Sequence, residues 1–174
     1  MKIYHTIPLN FWVETKRTCS PQEQLILLYL INHSHTNRLG CFRLPLHFIA
    51  EDLSWTDIFL KSTFNKLINV GYLIWDHTEE WGYLTDFLEW FPIRHYYQAR
   101  EIERVFNTLP EACNIIQVLI GHLLEAPYLD RSFRRRLQSI LKRYLPSEGI
   151  KPISLEEINE KRPCEGNKSN FRML

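Results

Sequence analysis

Ser54-Trp55-Thr56-Asp57-Ile58-Phe59-Leu60-Lys61-Ser62-Thr63-Phe64-Asn65-Lys66-Leu67-Ile68-Asn69-Val70-Gly71 is the stretch that decides the fold. Ser54 and Asp57 have the S-x-x-D spacing of a capping signal, and Leu53 and Ile58 stand as a hydrophobic staple across it. A helix is expected from about Trp55 to Val70, stopping at Gly71, because glycine suits the left-handed residue that follows a helix. Leu60, Phe64, Leu67 and Ile68 line one face. Asp57, Lys61, Asn65 and Asn69 fall on another at i, i+4 spacing and are expected in solvent.

Downstream, Tyr72-Leu73-Ile74-Trp75-Asp76 and Trp81-Gly82-Tyr83-Leu84 are β-branched and aromatic around the polar pair Glu79-Glu80, which reads as a β-hairpin with Trp75 and Trp81 as a cross-strand pair. Upstream, Leu46, Ile49, Ala50 and Leu53 predict a short amphipathic helix opened by Pro45. Before it, Arg38 to Leu44 reads as a short strand with Gly40 near its start. Ser20-Pro21-Gln22-Glu23 starts an earlier helix with serine as N-cap, proline at N1 and glutamate at N3. That helix runs to about His33, and Leu25 to Ile31 are apolar almost all round, as a central buried helix requires.

Beyond Pro92 the apolar spacing is helical in three runs, Ala99 to Leu109, Ile115 to Leu123 and Phe133 to Tyr144, each closed by a proline. From Ser147 the chain is polar and reads as a flexible tail. The expected fold is mainly α with a small β-hairpin, organised as residues 1–92, a helical bundle over 93–146 and the tail over 147–174. The chain has 174 residues, 45% hydrophobic and 24% charged, which allows one domain with an appended element and excludes two full enzyme domains. The longest apolar run, Leu25 to Ile31, is far short of the ~20 residues of a membrane span. No secretory signal follows Met1, and the four scattered cysteines form no C-x-x-C pair, so reduced thiols and the cytoplasm are expected.

A buried helix, a short strand, two helices joined by a tight turn and a hairpin are the order of a winged helix-turn-helix. Thr36-Asn37-Arg38-Leu39-Gly40-Cys41-Phe42-Arg43-Leu44-Pro45, followed by Ile49-Ala50-Glu51-Asp52-Leu53-Ser54-Trp55, resembles the winged-helix domain of phage and prophage replication proteins, including the DnaD-like replisome organisers. Leu67-Ile68-Asn69-Val70-Gly71-Tyr72-Leu73 and Phe87-Leu88-Glu89-Trp90-Phe91-Pro92-Ile93, with Gln98-Ala99-Arg100, continue the resemblance over roughly residues 3 to 110. It implies DNA binding near origins and protein contacts to a helicase or its loader. The chain departs from the family after Pro110, where no DnaD-type C-terminal motif follows.

In that arrangement Lys61, Ser62, Asn65 and Lys66 are the donors of a groove-docking helix. Opposing this, residues 20–94 carry a net charge of −4, and Glu79 and Glu80 stand where a wing offers cations to phosphate. The strongest basic patch is Arg131, Arg134, Arg135 and Arg136 with Lys142 and Arg143, against the single acid Asp130. Its spacing suits phosphates or an acidic partner. An ordinary solvated helix face explains either set of cations as well.

The first expectation is therefore a non-enzymatic winged-helix protein of a phage or mobile element that binds double-stranded DNA in replication initiation or its regulation. The alternative is a protein-docking module, such as a phage-encoded inhibitor or adaptor of a host nucleic-acid machine, using Asp57, Asp76, Glu79 and Glu80 against a basic partner. The C-terminal apolar faces leave two arrangements open, packing on the N-terminal part or on a second copy as a homodimer. No nucleophile, metal or phosphate-loop motif is present, and His33, His35 and Cys41 lack a fourth ligand, so neither a cofactor nor a metal is expected.

Overall fold

The computed structural model describes residues 7–9, 11–93, 99–110, 113, 115–125, 135, 138 and 139. Ser20 caps the central helix as its sequence requires. The Ser20 amide donates to Glu23 Oε2 (2.9 Å) and the Glu23 amide to Ser20 Oγ (3.4 Å), closing the capping box reciprocally. Before this helix, which is α2 (Pro21–Asn32), stands one short helical turn, α1 (Phe11–Thr15), too brief to carry a period in sequence. Ile26, Leu27, Leu30 and Ile31 of α2 are fully buried, whereas Leu25 is 45% exposed, so burial covers most of the helix rather than its whole circumference.

The chain then forms β1 (Cys41–Arg43), α3 (Leu46–Asp52), α4 (Asp57–Val70), β2 (Leu73–Asp76), β3 (Trp81–Leu84) and α5 (Phe87–Trp90). The strand expected from Arg38 begins only at Cys41. Arg38, Leu39 and Gly40 are spent on a turn in which Asn37 Oδ1 accepts from the amides of Leu39 (2.9 Å) and Cys41 (3.2 Å). Gly40 sits at φ 79°, and a Cβ there would lie 2.4 Å from Phe87 Cβ, so the turn needs glycine for both its conformation and its room.

The hairpin is part of a three-stranded antiparallel sheet in the order β1-β3-β2. Its register corrects the expected tryptophan pair: Trp75 stands opposite Gly82, and Trp81 opposite Asp76. Phe42 of β1 is also opposite Gly82. The missing side chain leaves room over the middle strand for the Phe42 ring, which a Cβ on Gly82 would approach to 2.2 Å, and Trp75 lies 6.0 Å from that ring. Trp75 then meets Phe64 of α4 edge-on at 5.5 Å. A tryptophan opposite a tryptophan would leave no such room.

The sheet is covered on both sides. Phe42, Leu73 and Leu84 face the core of α2, α3 and α4. Cys41 and Tyr83, with Ile74 and Trp81 beside them, face a second core formed with α6 (Ala99–Thr108) and α7 (Ile115–Glu125). One of the two arrangements open in sequence is thus realised: the apolar face of α7 packs against β2 and β3 of its own chain. The third C-terminal helix expected around Phe133 to Tyr144 and the tail over 147–174 lie outside the described residues, except for helical positions 135, 138 and 139.

Candidate nucleic-acid interface

The candidate surface is built on α4, and the way α3 ends fixes where α4 begins. Ser54, read from sequence as the N-cap of α4, instead closes α3. It sits at φ 55°, its amide donates to Glu51 O (3.0 Å) and the Trp55 amide to Ala50 O (2.8 Å), which is the paired bonding of a Schellman turn. Thr56 is the N-cap, its side chain accepting from the Phe59 amide. The same Schellman pairing ends α4, with Gly71 at φ 82° and the Gly71 and Tyr72 amides donating to Ile68 O and Leu67 O.

Moving the cap two residues along dissolves the expected Leu53–Ile58 staple. Ile58 is 84% exposed, and the residue stacked across the start of the helix is Trp55, edge-on to Phe59 at 4.8 Å. Leu60, Thr63, Phe64 and Leu67 form the buried face. Lys61, Ser62, Asn65 and Lys66 are all exposed. Ile58, Ser62, Asn65 and Asn69, at i, i+4, i+7 and i+11, make a ridge diametrically opposite the core, with Lys61 on one flank and Lys66 on the other. Sequence reasoning named Lys61, Ser62, Asn65 and Lys66 as the donors and placed Asn69 in solvent, but assigned Ile58 to the staple; the signal available was Thr56, a second acceptable cap.

The Asp57–Lys61 side of α4 turns toward the hairpin. Asp57, Leu60 and Lys61 line a cleft of about 310 Å³ together with Leu46, His47, Trp75, His77 and Glu80. Of the four carboxylates singled out in sequence, the fold brings Asp57 and Glu80 to this cleft. Asp76 is occupied otherwise: its Oδ1 accepts from the amides of Thr78 (2.9 Å) and Glu79 (3.1 Å), and these bonds hold its carboxyl below the usual range. Glu79 is half-buried, and Glu80 takes a left-handed φ of 53° that turns the chain into β3. The tip is acidic, as its sequence says.

Beside this surface the Tyr29 hydroxyl donates to Asp52 Oδ2, linking α2 to the end of α3. Burial first, then the Asp52 carboxylate, push the Tyr29 hydroxyl well above its ordinary pKa. Tyr29, His33 and His35 follow one another as tilted ring contacts, with ring centres 5.0 and 5.2 Å apart. Burial and the neighbouring His35 lower the His33 pKa, against the opposing pull of Asp52. Cys41 lies fully buried in the sheet, where burial raises its thiol pKa. Among the described residues no three His, Cys, Asp or Glu side chains gather as metal ligands would, and no helix is long and apolar enough to cross a membrane. Arg135 is exposed; Arg131, Arg134 and Arg136 lie outside the described residues.

No family model, curated protein or solved structure matches the chain.

Proposed function

We propose that the chain is a winged-helix protein that binds double-stranded DNA and catalyses no reaction, with α3 and α4 as the helix-turn-helix and β2–β3 as the wing. The element order and the β1-β3-β2 sheet support the winged-helix reading. One observation carries the binding role. The outermost ridge of α4 presents Ser62 and Asn65, types that bond base edges, between two exposed lysines placed to reach the phosphates on either side. A role in replication initiation or its regulation on a phage or mobile element follows from the family resemblance alone. The cytoplasm is the compartment where such a substrate lies.

The test is duplex affinity measured over a series of salt concentrations. Replacing Lys61 and Lys66 by alanine should flatten the plot of log affinity against log salt by about 0.9 for each phosphate contact removed. An unchanged slope would remove α4 from the interface. Arg131, Arg134, Arg135 and Arg136 supply the additional phosphate contacts in this reading, and the same measurement on their alanine variants tests them.

A second reading, a docking module for a basic protein partner, is favoured by the cleft in which Asp57 and Glu80 stand over Trp75 beside α4. Absence of duplex retention at micromolar protein and low salt would select it over DNA binding.

A further inference from the structure

We infer that α4 reads thymine through its 5-methyl group, with Ile58 as the contacting side chain and Asn65 facing an adenine nearby. This names the substrate class of the proposed DNA interface and rests on that reading. The starting observation is the exposure of Ile58. At 84% it is the most exposed large apolar side chain of α4, in a helix whose other aliphatic residues are turned to the core or its margin. The position is the first turn, and the N-terminal residues of a groove-docked helix are the ones that meet base edges.

The major groove offers one apolar group to such a side chain, the C5-methyl of thymine. Farther along the same ridge, Asn65 carries a side-chain amide whose donor and acceptor match adenine N6 and N7. Seven residues separate Ile58 from Asn65, about 10 Å along the helix axis, or about three base-pair steps. Residues 57–70 contain no arginine, so the two-pronged guanidinium contact to guanine is missing from this helix. The lysines stand on the flanks of the ridge, where phosphates rather than bases run. Asp57, which could accept from cytosine, lies farther round the helix from the ridge than Lys61, with which it lines the cleft toward Trp75 and Glu80.

The experiment titrates the full chain against three duplexes of equal length: one of mixed A·T pairs, the same duplex with every thymidine replaced by deoxyuridine, and one of G·C pairs. Removing the methyl should weaken binding about four-fold for each one contacted, the fold-change of one buried methyl. G·C should bind more weakly than A·T. Ile58→Ala should bind the thymidine and deoxyuridine duplexes equally and keep the salt slope of the parent chain. Asn65→Ala should narrow the A·T preference. Equal binding of thymidine and deoxyuridine duplexes by the parent chain overturns the methyl contact while leaving DNA binding intact. Ile58→Ala that still discriminates overturns the assignment of the residue. Absence of binding to all three duplexes overturns both this inference and the DNA reading on which it rests.

Discussion

Tyr83 Oη lies 2.6 Å from His122 Nδ1, a buried hydrogen bond that joins the middle strand of the sheet to α7. It is a polar link set within an apolar layer, and burial drives the tyrosine hydroxyl well above its ordinary pKa, so the group stays protonated. Such a bond stabilises less by its own strength than by what its loss leaves behind in a dry environment. Tyr83→Phe should destabilise the protein by about 1–3 kcal/mol. Amide exchange in α7 should accelerate more than in α2, and equal acceleration in both helices would contradict a local link.

Ser54 occupies a left-handed backbone position in the turn between α3 and α4, where an L side chain is disfavoured. Gly71 fills the equivalent place at the end of α4 without that strain. Ser54→Gly should therefore raise stability, by about 0.5–1 kcal/mol, because the relief in the folded state exceeds the entropy the glycine adds to the unfolded chain. Thermal unfolding of the two proteins checks this, and a lower midpoint in the variant would contradict it.

Gly40 presents the opposite case. Ala at this position meets both a left-handed φ and the Phe87 side chain at 2.4 Å. Gly40→Ala should cost roughly 2–4 kcal/mol, combining backbone strain with overpacking. Gly40→Ala combined with Phe87→Ala should recover part of the steric cost in a double-mutant cycle, and strict additivity would show that the contact is not the cause.

Asp76 gives the hairpin tip a pH dependence of defined sign. The Glu79 and Thr78 amides that donate to its carboxylate depress its pKa in the folded state. The stabilisation is complete above the unfolded aspartate value of about 3.9 and is lost as pH falls through the lower folded value. The amide resonances of Thr78 and Glu79 should titrate together in that acid range. Asp76→Asn retains an acceptor oxygen and should remove the titration, while a midpoint above the ordinary aspartate value would refute the assignment.

Local signals were readable and competing or distant ones were not. Ser20 and Glu23 form the expected box because both halves lie within four residues and nothing else claims them. Ser54 carries the same signature but is claimed first by the end of α3, and Thr56 takes over as cap two residues on. The register of β2 against β3 depends on Asp76 folding back on Thr78 and Glu79, and on the left-handed Glu80, so a four-residue loop placed Trp75 over Gly82 instead of Trp81. The contact of β1 with β3 joins segments some forty residues apart, which no periodicity announces. At the candidate interface the exposure of Lys61, Ser62, Asn65 and Lys66 followed from helical spacing alone. Ile58 did not, because an isoleucine beside a cap looks like packing until the cap is located.

A sheet clothed on both sides has a consequence for how the chain can be divided. Cutting after Ile93 would retain every helix and strand from α1 to α5 yet strip one plane of the ribbon bare, leaving Leu39, Cys41 and Tyr83 facing water where Ile102, Val105, Phe106 and the residues of α7 had stood. Such an excised fragment would carry an adhesive plane and should self-associate, because α6 and α7 are what covers that face of the sheet.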